Sequence, residues 1–198
     1  MTVAAAFISD RGDKYLPACV DSLRHLHGEL FATTIVDDFE HRLGMAGAVR
    51  AAWDWARRQN ADYLLHIEED FRFVAPFDLA DGIQVLREDP RLAQVVLKRQ
   101  PWSPEEHAAG GIIECHPDDY TDHTDGDGLF WVSHQRIFSL NPCIIPRHIF
   151  ELGWPDGNEA EMTTNLVALG YRFAFFGKRT DPPRVVHVGV ERGAGWRL

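Results

Sequence analysis

Short apolar runs alternate with amphipathic stretches through the first hundred residues of the chain. Each apolar or β-branched run is short enough for a buried strand, and these runs cover residues 3–8, 33–36, 63–67 and 95–97. Between them, apolar side chains recur at helical spacing over residues 16–26, 45–58 and 79–88. Asp78 stands directly before the last stretch, where a helix N-cap is expected. The first half therefore predicts strands and helices in alternation.

The second half of the chain is less regular. Its pattern predicts strands over residues 138–145, 171–176 and 185–188, and a helix that opens at Pro146 and ends near Gly153. A further helix is predicted over residues 159–169, with Asn158 as its N-cap and Gly170 as its stop.

One acidic stretch in the second half invites a metal-site interpretation. Residues 114–127 contain six acidic residues and no lysine or arginine. They lack the ligand spacing of an EF-hand loop, which needs alternating acidic residues, a glycine and a later glutamate. We therefore expect a solvated, mobile loop there.

The alternating order predicts an α/β fold with a mostly parallel central sheet and helices on both faces. Ligands of such sheets bind outside the carboxyl ends of the strands. The first three predicted strands end in acidic residues: Asp10, then Asp37 and Asp38, then residues 68–70. We therefore expect the functional site at this edge of the sheet. No internal repeat or linker divides the chain, so the pattern favours a single domain over residues 1–198.

Composition narrows the class of protein. The chain has 198 residues and a formal net charge of −10. This charge argues against a protein that binds nucleic acid by electrostatic attraction to its phosphate backbone. A bound divalent cation can invert the local charge, so a phosphate-bearing ligand is compatible with this balance. No stretch approaches the roughly 18 consecutive apolar residues of a membrane span. The three cysteines lack zinc-site spacing and predict reduced thiols, hence a cytoplasmic protein.

Taken singly, the acidic residues have ordinary structural explanations. Asp37 and Asp38 suit a turn, and residues 68–70 suit a solvated strand end. Glu159 falls in the first turn of a predicted helix, where a carboxylate complements the helix dipole. A strand histidine such as His187 is commonly half-buried without binding a ligand. Only the order and spacing of these residues indicate more than local structure.

Three segments near the start of the chain resemble the opening of family 2-type glycosyltransferases with the GT-A fold. FISDR at residues 7–11 and YLPACVDSL at residues 15–23 are similar to the strand, loop and helix at the base of that family's nucleotide pocket. IVDD at residues 35–38 looks like the Val-Asp-Asp element whose acids contact the base and ribose of the sugar nucleotide.

The resemblance extends through two further segments of the first half. GAVR at residues 47–50 sits where the family has a helix with an asparagine at the place of Arg50. YLLHIEED at residues 63–70 is similar to the strand with the family's DxD motif, and Glu68 replaces the first aspartate. Both substitutions keep a polar side chain at the matched position.

The second half carries two more matching segments and a histidine. GNEAEM at residues 157–162 followed by LGYR at residues 169–172 looks like the family's "gEDtDL…aGyR" signature, with the same spacing. His187 falls where many GT-A enzymes carry a late metal-binding histidine. The similarity covers most of the chain.

The resemblance implies a metal-dependent transfer, with inversion, from a nucleoside-diphosphate sugar to an acceptor hydroxyl. It implies Mn²⁺ or Mg²⁺ held by Glu68, Asp70 and His187, and Glu159 as the catalytic base. The residues implied in donor binding are Ser9, Asp10, Arg11, Asp37, Asp38, Arg50 and Glu69. About residues 1–100 would form the nucleotide-sugar half and about residues 101–198 the acceptor half.

The acceptor itself is open, and a glycan, a protein or a small molecule would each suit the pattern. Trp102, Trp131 and Trp154 fall in the acceptor half and are candidate platforms for stacking on a sugar, although packing in the core explains them equally well.

Two other classes of protein stay open. A sugar nucleotidyltransferase shares the alternating sheet and the acidic metal site, but it would want a glycine-rich phosphate loop after the first strand, and residues 9–13 supply one glycine. A non-catalytic carbohydrate- or cation-binding module would keep the fold and the motifs without turnover. Nucleotide-sugar binding without transfer or hydrolysis would indicate the latter.

Overall fold

The structure, a computed structural model, describes residues 1–97, 113 and 116–189. The strands are β1 Val3–Ser9, β2 Leu26–His27, β3 Ala32–Asp37, β4 Tyr63–Glu68, β5 Phe71–Phe73, β6 Phe77–Asp78, β7 Leu92–Val96, β8 Tyr120–Thr124, β9 Phe130–His134, β10 Cys143–Pro146, β11 Arg172–Phe176 and β12 Val185–His187. The α-helices are α1 Leu16–Ser22, α2 Asp38–His41, α3 Gly44–Arg58, α4 Leu79–Glu88, α5 Arg147–Phe150 and α6 Glu159–Ala168. None of these helices is long and apolar enough to cross a membrane.

Within the described residues, eight strands form one sheet in the order β3-β1-β4-β10-β7-β11-β9-β8. β1 pairs in parallel with β3 and β4, and β7 pairs in parallel with β11. β10 lies between β4 and β7 and runs antiparallel to both, while β9 runs antiparallel to β11 and to β8. Six of these eight strands run in the same direction, and β9 and β10 run in the opposite one. The sheet with its flanking helices confirms the predicted α/β class.

Helices pack against both faces of the sheet, as the alternating pattern predicts. On one face, α3 contributes Val49 and Trp53 to a buried cluster, and the Trp53 ring meets that of Trp154 edge-on with centroids 5.5 Å apart. On the other face, α4 contributes Ile83 to a second cluster that includes Phe77. Each fully buried side chain of this size stabilises the fold by about 1.5–3 kcal/mol.

Residues 138–142 do not form the strand that the sequence predicts. β10 begins only after them, and side chains bind their backbone. Three consecutive N–H groups, from residues 138–140, donate to Thr163 Oγ1, Gln94 Oε1 and Glu159 Oε1 at 2.8, 3.1 and 2.6 Å. Because α6 and β7 supply these acceptors, the segment needs no neighbouring strand. An apolar run alone does not reveal such partners.

Part of the acidic stretch is a strand and not the mobile loop that we expect from the sequence. β8 is the outermost strand of the sheet, with Tyr120 buried and Asp122 exposed. Asp122 pairs with Arg179, with Nε 2.9 Å from Oδ2. Charged side chains on an outer strand discourage pairing with other chains, and the same charges hide the strand from an apolar-pattern search. Residues 114–115 lie outside the described residues.

Two of the three tryptophans that we consider as stacking surfaces for a sugar are buried. Trp131 and Trp154 are each 6% exposed. His123 stacks on Trp131 with ring centroids 5.2 Å apart, and Trp53 covers Trp154. Neither indole therefore presents a face for stacking on a sugar, and the core explanation is correct for both. Trp102 lies outside the described residues.

His134 predicts a loss of stability at acid pH. Its ring lies between Tyr120 and Phe175, and burial lowers its pKa from an ordinary value of 6.5 to about 3. His134 therefore stays neutral in the folded state at a pH where the unfolded state binds a proton. The free energy of unfolding should fall as the pH drops from 6.5 to about 3. One such group contributes at most about 1.4 kcal/mol per pH unit.

The change that tests this linkage is His134→Phe, which keeps an aromatic ring without a titratable nitrogen. Urea unfolding across this pH range should show a shallower decline for the variant than for the wild-type chain. Equal slopes in the two proteins would contradict the prediction.

Candidate active site

The ends of β1 and β4 lie side by side at the carboxyl edge of the sheet. The two strands are parallel neighbours, and Ile8 lies opposite Glu68. The N–H of Glu69 donates to the carbonyl of Ile8 at 3.0 Å, so the pairing continues one step past β4. The segments that follow the two strands therefore leave the sheet at the same place.

The carboxylate of Glu69 lies beneath the loop after β1 and binds three groups of that loop. Oε2 accepts from Ser9 Oγ at 2.5 Å, and Oε1 accepts from the N–H groups of Arg11 at 2.8 Å and Asp10 at 3.2 Å. Glu69 is 2% exposed. Burial raises its pKa, and the nearby carboxyl of Asp10 adds to the rise. This geometry favours a positioning role for Glu69 over the direct donor contact that the sequence predicts.

One carboxylate oxygen of Asp70 contacts both Arg11 and His187. Arg11 Nη1 lies 2.8 Å from Asp70 Oδ2, and His187 Nε2 lies 2.9 Å from the same oxygen. Asp70 is 7% exposed. Burial alone would raise its pKa, but the contacts with His187 and Arg11 outweigh burial and hold the pKa below its ordinary value. Asp70 therefore carries a negative charge at neutral pH.

A small antiparallel pair, β5 with β12, brings His187 to this position. The register places His187 opposite Phe71, and their ring centroids lie 4.9 Å apart. The N–H of Val188 donates to the carbonyl of Asp70 at 2.8 Å. Because Asp70 directly precedes β5, the same pairing holds both partners of the Asp70–His187 contact.

The backbone of Gly189 passes close to the Asp70 carboxylate. A Cβ at this position would overlap Asp70 Oδ2 and would lie 2.8 Å from Arg11 Nη1. Any other residue would therefore displace one of these groups. Among residues 1–97, 113 and 116–189, no three His, Cys, Asp or Glu side chains are grouped to hold a metal ion. Asp70 and His187 are together, and Glu68 is not grouped with them.

Glu68 and Glu159 both lie near the thiol of Cys143, although they come from different halves of the chain. Cys143 opens β10 opposite His66 of β4, near the carboxyl end of β4. Burial raises the pKa of Cys143 well above its ordinary value, and the charges of Glu68 and Glu159 raise it further. The structure thus brings the predicted base to the edge where β4 ends.

Asp37 and Asp38 both bind local backbone groups. Asp37 Oδ1 accepts from the N–H of Glu40 at 2.9 Å as the N-cap of α2, and Asp38 Oδ1 accepts from the N–H of Gly44 at 2.8 Å. Each contact uses one oxygen of the carboxylate. The two side chains are half-buried at the end of β3, beside the end of β1, so the predicted donor-binding acids are oriented at the same edge.

Arg50 contacts the loop before α6. Its guanidinium donates to the carbonyls of Trp154 at 3.4 Å and Pro155 at 3.0 Å, and it contacts the carboxylate of Asp156 at 2.6 Å. These contacts connect α3 to the loop that leads into the helix of Glu159. The geometry favours this bracing role over the donor contact that the sequence predicts for Arg50.

Two features of the site are missed by sequence reasoning. Gly189 has a usable signal, because an isolated glycine directly after a short apolar strand often marks a close approach. The buried position of Glu69 has none, since three consecutive acids after a strand look the same whether the middle one is solvated or buried.

Comparisons with known proteins bear on the fold. No family model matches the chain, and no curated protein matches it in sequence. Among solved structures, A197 from STIV shares 14% identity at a TM-score of 0.55, over 88% of this chain and 81% of that chain. TarS 1–349 of S. aureus in complex with UDP shares 10% identity at a TM-score of 0.56, over 94% of this chain and 60% of that chain.

A third structure, CMP:2-keto-3-deoxy-manno-octonic acid synthetase complexed with CTP, overlays at a TM-score of 0.46 with 12% identity, over 92% of this chain and 94% of that chain. An overlay at that score supports no argument. The matches to A197 and TarS confirm the predicted GT-A-type fold. This chain spans about three-fifths of the TarS structure.

The role of Glu69 predicts a large effect of its removal on stability. Glu69→Ala leaves the Ser9 hydroxyl and two loop N–H groups without their acceptor and opens a cavity, so the free energy of unfolding should fall by about 2–4 kcal/mol. Glu69→Gln keeps the shape and one carbonyl oxygen, and should cost at most about 1 kcal/mol. Urea unfolding measures both changes.

The matched control for these variants is Glu29→Ala, which removes a carboxylate at an exposed position. It should change the free energy of unfolding by no more than about 0.5 kcal/mol. Equal effects of Glu69→Ala and Glu29→Ala would show that the Glu69 contacts do not hold the loop.

Proposed function

We propose that the chain is a glycosyltransferase that moves a sugar from a nucleoside-diphosphate sugar to an acceptor hydroxyl. The observation that carries the proposal is the meeting of Arg11, Asp70 and His187 at the carboxyl edge of a GT-A-type sheet. Ligands of open α/β sheets bind at this edge. TarS, whose fold is similar, holds UDP, and this supports a nucleotide as the ligand here.

Mn²⁺ or Mg²⁺, bound beside Asp70, is the cofactor that we propose. Asp70 offers a carboxylate and His187 an imidazole, a donor pair that suits Mn²⁺, and Mg²⁺ through the carboxylate. When bound with a diphosphate, the cation would neutralise the charge that develops on the leaving phosphates. Its other ligands would be phosphate oxygens and water.

Arg11 is the residue that we assign to the diphosphate. Its guanidinium presents five N–H donors in one plane, a geometry that matches phosphate oxygens. Glu69 holds the loop of Arg11 from below through two backbone N–H groups and the Ser9 hydroxyl. The guanidinium therefore needs little reordering before it binds, and less free energy is lost to ordering.

Glu159 is the catalytic base that we propose. The acceptor hydroxyl attacks the anomeric carbon as the bond from that carbon to the diphosphate breaks, and its proton passes to the carboxylate of Glu159. The hydrogen bond from the N–H of Leu140, at 2.6 Å, orients that carboxylate. Attack opposite the leaving group inverts the anomeric centre.

Asp37 and Asp38 complete the donor pocket in this proposal by binding the ribose and the base. The hydrogen bonds that each accepts through Oδ1 fix the direction of its carboxylate. Arg50 does not contact the donor in this proposal. Its guanidinium holds the loop that leads to Glu159.

A thermal-shift panel of nucleoside di- and triphosphates, with Mn²⁺, with Mg²⁺ and with EDTA, tests the proposal. We expect one diphosphate to raise the melting temperature only when metal is present, since a ligand at a hundred times its Kd stabilises the folded state by about 2.7 kcal/mol. Asp70→Asn keeps the shape of the side chain and should abolish the shift. Asp21→Asn changes an exposed aspartate and should leave the shift intact.

Glu159→Gln separates nucleotide binding, measured by the thermal shift, from sugar transfer, measured by an activity assay. Glutamine keeps a carbonyl oxygen for the N–H of Leu140, so the nucleotide shift should persist while sugar transfer falls about 10²–10⁴-fold. Glu161→Gln, in the same helical turn, is the control. No shift with any nucleotide, or an unchanged shift in Asp70→Asn, would contradict the proposal. Pyrophosphate release from a triphosphate would indicate a sugar nucleotidyltransferase, and binding without any turnover would indicate a binding module.

A further inference from the structure

A second polar cavity lies at the opposite edge of the sheet, where β7 and β11 begin and β9 ends. Its volume is about 500 Å³. Its charged lining residues are Arg91, Arg136, Arg172 and Asp119, and the neutral ring of His134 also lines it. Because Arg172 opens β11 and His134 closes β9 opposite Phe173, the length of the strands separates this cavity from the Asp70 site.

Three guanidinium groups converge here although the chain has a net charge of −10. Arg172 pairs with Asp89, with Nε 2.7 Å from Oδ2, and Arg136 pairs with Asp119, with Nη1 3.2 Å from Oδ2. Arg91 Nη1 donates to a main-chain carbonyl at 3.4 Å. A guanidinium has five N–H donors, and these contacts of Arg91 and Arg172 use only part of that number. Three arginines against one aspartate make the lining of the cavity positive, in contrast to the chain as a whole.

The wall of the cavity is built for close approach of these groups. Gly170 has φ +84°, and a Cβ there would lie 2.6 Å from Arg91 Nη1. His134 Nδ1 accepts from the N–H of Arg136 at 3.2 Å, so the neutral ring carries its proton on Nε2. His134 is 4% exposed, and Nε2 has no hydrogen-bond partner in the part of the chain that the structure describes.

We propose that this cavity binds a small multivalent oxyanion, a metabolite bearing phosphate or carboxylate groups, between Arg91, Arg136 and Arg172. Guanidinium groups pair bidentately with both kinds of oxyanion. The volume lies within the range of about 300–1,000 Å³ that is usual for small-ligand sites. Thr121 lines the same cavity and offers a hydroxyl to the polar body of such a ligand. The site shares no residue with the Asp70 cluster.

Isothermal titration calorimetry of the full chain in EDTA, with inorganic phosphate, pyrophosphate and citrate as separate probes, tests the site. We expect one-to-one binding of at least one probe, weakened about tenfold by Arg91→Gln and further by the double variant Arg91→Gln/Arg172→Gln. Arg91 is exposed, so its single variant should fold normally, which circular dichroism checks. Tighter binding of the phosphates identifies a phosphorylated ligand, and tighter binding of citrate a polycarboxylate.

Two control variants locate the binding. Arg87→Gln changes another exposed arginine and should leave the affinity unchanged, whereas Arg11→Gln, at the opposite edge, reports any binding of the probe at the Asp70 site. The absence of saturable binding up to about 10 mM of every probe would overturn the proposal. So would binding that Arg11→Gln weakens and Arg91→Gln does not. Neither result alters the metal-dependent nucleotide shift expected at Asp70.

Discussion

The carboxylate of Glu69 lies buried between the ends of β1 and β4, and the geometry of the candidate site depends on the hydrogen bonds that it accepts. A carboxylate with so little exposure is costly unless its oxygens are bound, and here Ser9, Asp10 and Arg11 supply the donors. The same contacts fix the loop that carries the Arg11 side chain to Asp70. One buried polar group therefore determines where the positive charge of the site lies.

The negative charge of the site depends on a contact between distant parts of the chain. Asp70 and His187 are 117 residues apart in sequence, yet their side chains lie 2.9 Å apart. Only the pairing of β5 with β12 brings them together. The backbone of Gly189 lies beside the Asp70 carboxylate and Arg11, where a side chain would not fit. Residues 187–189 therefore contact the loop after β1 as well as strand β5. The site thus forms only when both halves of the chain are folded.

Much of this architecture follows from local pattern, and the exceptions have physical causes. β1 and β4 are visible as continuous apolar runs because both of their faces are buried, and α3 and α4 are visible because each buries one face. Asp78 and Asn158 cap their helices as predicted. The predicted strand over residues 138–142 is absent because side chains of α6 and β7 bind the backbone there. β8 is hidden because an outer strand carries charge. Asp37 and Asp38 show that local capping and a functional position at the sheet edge are compatible.

Diffraction from crystals grown with Mn²⁺ and the nucleoside diphosphate that the chain binds best, recorded at the manganese absorption edge, tests the central claim most directly. That claim is that Arg11, Asp70 and His187 form a diphosphate site. We predict one anomalous peak in contact with Asp70 and His187, with the diphosphate next to Arg11. A nucleotide bound away from Asp70, or a manganese peak only elsewhere on the protein, would contradict it.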